Sequence, residues 1–310
     1  MSEEASEAAP QDSSEIKIVV ISGPLSDPFF SALKAGAEQA GKDLGIQVDY
    51  TAPKDLTNLG PDLTRLADAA LAANPDGVVA GEYIPDVQDP GFNAITDAGI
   101  PLVLINAGPN WEELGALTYI GEDPAVFGSG AGKSMAEAGV THGLCVNHVP
   151  GNPTLEDRCK GYQEALEAAG GTATLLTIPS DQAGNPTAVT NAIAGALRSD
   201  PSIDGVFTLG SGIAENALRA ISDSGSSAKL ATGDLSKNVL EAVKAGTILF
   251  AVDQQPYLQG YYGVLAAAQN AKLGLHPIGQ VKTAPLMVTL DNVDKTIQLN
   301  NDNNGVRGAA

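Results

Sequence analysis

Positive charge is scarce in this chain: 17 Lys and Arg stand against 37 Asp and Glu, a formal net charge of -20. That balance argues against nucleic acid as a partner, because such binding rests on neutralising phosphates with Lys and Arg. Acidity of this kind keeps a surface soluble and assigns no specific partner. Long apolar runs are missing too. No stretch approaches the roughly 18 to 20 consecutive apolar residues that a membrane helix needs. The 3 His and 2 Cys form no ligand-spaced cluster, so neither a metal nor a cofactor is expected.

Catalytic signatures are equally thin. Gly128 to Ser134 reads GSGAGKS, but the Walker pattern needs a glycine five places before its Gly-Lys pair, and Phe127 stands there. The stretch falls inside an expected helix, where its glycines serve close helix packing. No GxGxxG follows a strand, and no GxSxG or HExxH occurs. Nothing in the chain promotes a catalytic triad, and we expect no enzyme.

The cysteines are Cys145, in the apolar run LCVNHV, and Cys159, one turn into the helix that follows and within its stretch RCKGYQEAL. A strand packs on the helix that follows it, so a bridge closing this loop is geometrically possible. It would contribute about 3 kcal/mol and require an oxidising compartment. Two buried free thiols are the alternative, and the disulfide is the reading we favour. The opening residues, SEEASEAAPQDSS, are polar and acidic, and residues 1–15 are expected to be a disordered tether. They show no secretory signal, but a mature exported protein shows none either, its signal having been removed.

What the chain does have is alternation. Ile16 to Ile21 is a β-branched run without polar alternation, the mark of a strand covered on both faces in a parallel sheet. A loop follows at once, then a helix from about Ser31 to Leu44 stopped by Gly45, then a strand from Gln47 to Thr51. Loops at the carboxyl ends of such strands face the ligand crevice, which places Ser26, Asp27, Phe29 and Phe30 to meet a ligand. The two rings either staple the helix to the core or offer an apolar face to a sugar while Asp27 accepts from hydroxyls. Helices are also expected at Asp62 to Ala73 and Phe92 to Ala98, and strands at Val78 to Ala80 and Leu102 to Asn106.

After Gly121 the plan begins again. The strand Gly143 to Val149, the helix Leu155 to Ala169 and the strand Thr172 to Thr177 answer Ile16 to Tyr50. Asp200-Pro201-Ser202-Ile203-Asp204-Gly205 echoes Asn74-Pro75-Asp76-Gly77. The fold class is therefore α/β, with two Rossmann-like lobes built on parallel sheets and able to close on a ligand about a hinge. The last third forms no further lobe. We expect the chain to cross back after Gln254-Gln255-Pro256 and to return near Thr283 to Pro285, making a three-crossing hinge. The lobes would then be 16–121 plus 256–284, and 122–255 plus 285–310, with a polar tail from Asn300.

Taken together, SDPFF after strand one, IGED at the first crossing, VPGNPTLEDRCKGYQEAL, ATGD and AVDQQPYLQGYYGV resemble the periplasmic sugar-binding proteins of the ribose-binding type. The resemblance runs from Ile16 to about Asn292. It implies the periplasmic binding protein type I fold and the role of an extracytoplasmic receptor, periplasmic or a cell-surface lipoprotein. Such a receptor would be monomeric, would hand a sugar or polyol to the membrane permease of an ABC importer, and would use no cofactor.

The resemblance also implies roles for particular residues. Asp27-Pro28-Phe29-Phe30 keeps the rings of the family's Asn-Pro-Phe-Phe and exchanges its amide for a carboxylate, an acceptor suited to hydroxyl donors. Arg158 matches an arginine that donates to ligand oxygens; taken without the family, it would pair with Glu156 or Asp157 on the surface. Asp234 and Gln254 match two further polar contacts. Asn106 and Ala107 replace an Asp-Arg pair, Gly210-Ser211-Gly212 replaces an Asn-Asp, and Ser180 to Asn185 lacks a stacking ring. With one ring gone, the ligand is expected to be a small sugar or polyol of the pentose, tetritol or pentitol class. His148 and Asn152, where strand Gly143 to Val149 opens, would add polar contacts, although His148 could equally be a core histidine. Trp111 is read as packed on a neighbouring helix and not as a lid. Two competing classes remain. A sugar-responsive transcription repressor would need a basic helix-turn-helix where the acidic tail stands. A small-molecule enzyme on the same architecture is the other, since fold alone never fixes function.

Overall fold

The computed structural model of the protein describes residues 15–309; the tether expected at 1–15 thus lies, but for Glu15, outside the described residues. The chain opens with β1 (Lys17–Ile21), α1 (Pro28–Leu44), β2 (Gln47–Thr51), α2 (Leu59–Ala73), β3 (Gly77–Ala80), α3 (Pro85–Asp97), β4 (Leu102–Asn106) and β5 (Tyr119–Gly121). It continues through α4 (Pro124–Glu137), β6 (His142–Asn147), α5 (Pro153–Ala168), β7 (Thr172–Thr177), α6 (Ser180–Ala183) and α7 (Pro186–Ser199). Then come β8 (Gly205–Thr208), α8 (Ser211–Ser224), β9 (Lys229–Gly233), α9 (Lys237–Lys244) and β10 (Phe250–Asp253). The last elements are α10 (Pro256–Leu273), β11 (Gln280–Lys282), β12 (Leu286–Thr289) and α11 (Val293–Asp302).

These strands form two six-stranded sheets, ordered β2-β1-β3-β4-β5-β11 and β7-β6-β8-β9-β10-β12. The orders match position for position, which is the repeat seen in the sequence. Central strands are covered on both faces: Ile18, Val20 and Ile21 of β1 and Leu102 to Ile105 of β4 are wholly buried. The aspartate-glycine echo has a structural cause. Asp76 accepts from Lys17 N at 2.8 Å, and Asp204 accepts from His142 N at 2.8 Å, so each carboxylate caps the first strand of its own lobe.

The chain passes between the sheets three times, after β5, after β10, and from β11 to β12. The last passage differs from an all-parallel expectation, because β12 runs antiparallel to β10. A short return from β11 leaves no room for the crossover helix that a parallel strand requires. The polar tail is also corrected. α11 covers residues through Asp302, the Asn300 amide donates to Ala309 O at 2.7 Å, and Arg307 pairs with the buried Asp253. Helix α3 begins at Pro85, earlier than expected, and carries Pro90 within it. Pro85 suits the first helical position, while Pro90 removes one hydrogen bond and hid the first turns from a propensity reading.

Glycines let the helices approach. A Cβ on Gly128 would stand 2.0 Å from Arg158 O, and one on Gly132 would stand 2.6 Å from Tyr162 O. The GSGAGKS stretch is thus the packing seam of α4 on α5. In the other lobe, Gly36 and Gly260 play the same part between α1 and α10, each with a backbone oxygen 2.0 Å from its would-be Cβ. The expected bridge is present: Cys145 on β6 and Cys159 on α5 form a disulfide with Cα atoms 5.6 Å apart. No described helix is long and apolar enough to cross a membrane.

Candidate functional site

A cavity of about 430 Å³ lies at the carboxyl ends of both sheets, lined from one lobe by Asp27, Phe29, Phe30, Tyr83 and Asn106 and from the other by His148, Asn152, Arg158, Asp234 and Gln254. Its floor follows from the duplication. Asn106 ends β4 and Asp234 follows β9, the fourth strands of the two sheets, and both take a left-handed backbone with φ 65°. That conformation is uncommon away from glycine and concentrates at functional sites, where the fold must hold it. Here it turns each side chain off its strand end and into the cleft. Gln254, after β10, joins them: Asn106 Nδ2 donates to Gln254 Oε1 at 3.2 Å, and Gln254 Nε2 donates to Asp234 Oδ1 at 2.5 Å. One amide therefore bridges the two lobes at the base of the cleft.

A second matched pair stands at the helix starts. Asp27 caps α1 by accepting from Phe29 N at 2.9 Å, and Asn152 caps α5 by accepting from Thr154 N at 3.0 Å. Each cap precedes a proline at the first helical position. The two phenylalanines divide the roles proposed for them. Phe29 packs in the core at 4% exposure, while Phe30 stands edge-on to Tyr83 with ring centroids 5.9 Å apart, forming an aromatic wall of the cavity.

Arg158 does not sit on the surface with Glu156 or Asp157. It is 3% exposed, its Nε donates to Glu122 Oε1 at 2.5 Å, and its guanidinium lies 4.3 Å above the Phe127 ring. No other protein hydrogen bond engages that guanidinium among the described residues, so its remaining donors are available to the cavity it lines. Burial pushes the Glu122 carboxyl up, although Arg158 pulls against this. The arginine is held protonated despite burial, because Glu122 and then Asp234 favour its charge. His148 lines the cavity with Nδ1 unpartnered, and burial, with Arg158 adding to it, pushes its imidazole down to about 4. It is thus a neutral ring at physiological pH.

Ser211 departs from the expected set. It is buried with an unpartnered Oγ, and its neighbours Gly210 and Gly212 line the cavity in its place. Trp111 is half-buried against the core and does not line the cavity. Sequence reasoning missed Tyr83 and Glu122 at the inner site, and Asn216 and Arg219 towards the cavity's mouth. Tyr83 was findable, since Gly81-Glu82-Tyr83 leaves the carboxyl end of β3, where the crevice rule applies. Glu122 lies in the IGED motif at the first crossing, but its pairing carried no signal, because the partner lies 36 residues on.

Burial pushes the Asp234 carboxyl up to about 8, against the lowering effect of Arg158 and with Asp27 adding to the rise. Glu82, behind the aromatic wall, is likewise pushed up to about 8 by burial, with Asp89 beside it adding to the effect. A carboxyl raised in the folded state binds its proton there more tightly than in the unfolded chain. Its stabilising contribution is therefore complete below about pH 4 and is lost as pH rises towards 8. Asp234→Asn is expected to flatten part of the fall in melting temperature between pH 4 and 8 in the ligand-free protein. An unchanged slope in a pH series of thermal melts would remove Asp234 from that account.

The fold and cleft define a two-lobed binding protein whose site is shared between its halves. Comparison with known proteins agrees. Residues 18–275 match the family described as periplasmic binding protein domain, and the chain belongs to that family. A xylose/arabinose-binding protein of Sulfolobus acidocaldarius is 26% identical over 275 residues, 81% of this chain, and the match spans only 65% of that relative's length. A ribose import binding protein of Haemophilus influenzae is 25% identical over 86% of this chain and 88% of its own. Among solved structures, a carbohydrate transporter from Acidothermus cellulolyticus in complex with myo-inositol is 32% identical with a TM-score of 0.86, covering 96% of this chain and all of that one.

Proposed function

We propose that the protein is the extracytoplasmic receptor of an ABC importer, binding a neutral polyhydroxylated solute between its lobes and presenting the closed form to a membrane permease. The observation that carries this is the Asn106–Gln254–Asp234 bridge. Amide and carboxyl groups from both halves converge beside an aromatic wall, which is what a ligand made of hydroxyls and C–H faces requires. The Cys145–Cys159 disulfide supports a location in an oxidising compartment, where a cytosolic repressor would not be. The site contains binding groups without a nucleophile aligned to a base, which supports a binder over an enzyme.

For the solute we propose small sugars and polyols, pentoses, tetritols and pentitols among them. Cyclitols join this set because the 32% identical structure holds myo-inositol. A thermal-shift panel of these compounds is the test, since ligand at a hundred times its dissociation constant adds about 2.7 kcal/mol to stability. Gln254→Ala is expected to weaken the best ligand at least about tenfold, because it removes a donor and an acceptor and leaves Asp234 and Asn106 unpaired. A panel without shifts, or a Gln254→Ala variant of unaltered affinity by calorimetry, would overturn this assignment.

A further inference from the structure

The cavity is graded. Its polar floor, Asn106, Arg158, Asp234 and Gln254, is buried to 8% exposure or less. Its mouth on the second lobe is exposed and carries Gly184, Gly212 and Arg219. Gly212, Asn216 and Arg219 follow helical spacing along α8, so one stripe of that helix faces the opening. Across from it stand Leu56 and Leu59 of the first lobe.

Two observations show that this mouth is unfilled. A Cβ placed on Gly184 or on Gly212 would meet nothing within 4 Å, so both glycines border open space. The Arg219 guanidinium also has no carboxylate partner among the described residues. The nearby Glu215 is already engaged by Ser236 Oγ at 2.8 Å and Asn238 Nδ2 at 3.1 Å.

On the receptor reading above, we propose that this mouth is a second subsite, and that the small sugars and polyols of that reading fill the inner chamber as one unit of a two-unit glycoside, which places a further sugar in the outer one. The outer chamber has the chemistry for a sugar unit. Leu56 and Leu59 offer an apolar face for C–H groups, and Arg219 and the Asn216 amide oxygen offer a donor and an acceptor for hydroxyls. Asn216 Nδ2 already donates to Gly212 O, which leaves its oxygen for the ligand. The missing ring between Ser180 and Asn185 fits the same picture, because an aromatic at that wall would occupy the outer chamber.

Matched pairs test this by calorimetry: myo-inositol against galactinol, D-xylose against xylobiose, and D-galactose against melibiose. At least one glycoside is expected to bind about tenfold or more tighter than its single unit, a difference of about 1.4 kcal/mol. Arg219→Ala should weaken that glycoside about fivefold and leave the single unit within about twofold, the loss of one hydrogen bond. Gly184→Phe, at an exposed position with room for the ring, should abolish glycoside binding and spare the single unit. Melting temperatures of both variants should stay near that of the parent.

Single units that bind while every glycoside binds equally or worse would overturn the subsite and leave the receptor reading standing. Variants that weaken both members of a pair alike would do the same. Preference for a sugar phosphate over the glycoside would reassign Arg219 to an anion and overturn it too. Silence from every compound would instead sink the receptor reading, and the subsite with it.

Discussion

Glu122→Ala is expected to destabilise the protein by about 3–5 kcal/mol, because it strands a buried guanidinium without its counter-charge. Glu122 is wholly buried and Arg158 nearly so, so water cannot replace the lost partner. Glu122→Gln keeps an acceptor for Arg158 Nε and should recover part of the loss. Replacing both residues with apolar ones of similar volume should cost far less than either single change, since the pair's desolvation is then avoided. Urea denaturation of the four proteins measures this. A loss for Glu122→Ala below about 1 kcal/mol, the range of exposed pairs, would show that the ion pair is open to solvent.

The second large effect comes from the disulfide. The bridge closes a loop with a sequence separation of 14, and its removal is expected to cost about 3 kcal/mol. Both cysteines are buried, Cys145 at 2% and Cys159 at 6% exposure, so paired alanines are the least disruptive replacements. The double variant should unfold at lower denaturant, with a slope close to that of the parent. Reductant should lower the parent's midpoint and leave the variant's unchanged. A parent midpoint indifferent to reductant in the unfolding transition would count against a stabilising bridge. The loss should also reach the site, because His148 and Asn152 stand just beyond β6 and just before α5, and Arg158 is the neighbour of Cys159 in α5.

Much of the architecture was legible because its signals are local. Unbroken β-branched runs announce strands buried on both faces, and the paired aspartate-glycine turns announce the duplication. The limits of β4 were read without error for the same reason, and those of β2 and β7 were also read correctly although both are partly exposed edge strands. What escaped depends on distant partners. β5 and β11 are three residues each and pair with one another only through the chain's return. α11 packs against a lobe whose last strand arrives from elsewhere, so the helix was not expected and its last residues, from Asn300, read as the start of a polar tail.

The site divides along the same line. Asp27 and Phe30 follow a strand end, where the crevice rule finds them, whereas Asn106, Asp234 and Gln254 were implied by the family resemblance, and the structure brings all five to one cavity. Ser211 was also implied by the resemblance and falls within one residue of the lining, but its buried Oγ does not line the cavity. Arg158 shows the complementary failure. Glu156 and Asp157 are its neighbours in sequence, yet the partner that holds it comes from the first crossing.

The position of α10 has a consequence for synthesis. This helix, at Pro256–Leu273, covers the face of the first lobe against α1, with Gly260 seated on Leu33. A nascent chain emerging from the ribosome therefore cannot finish its leading half when residue 121 appears. It must hold Leu33, Ala37 and Val79 uncovered until more than a hundred further residues have been added, so an amino-terminal fragment ending there should be a chaperone client and not a foldable unit.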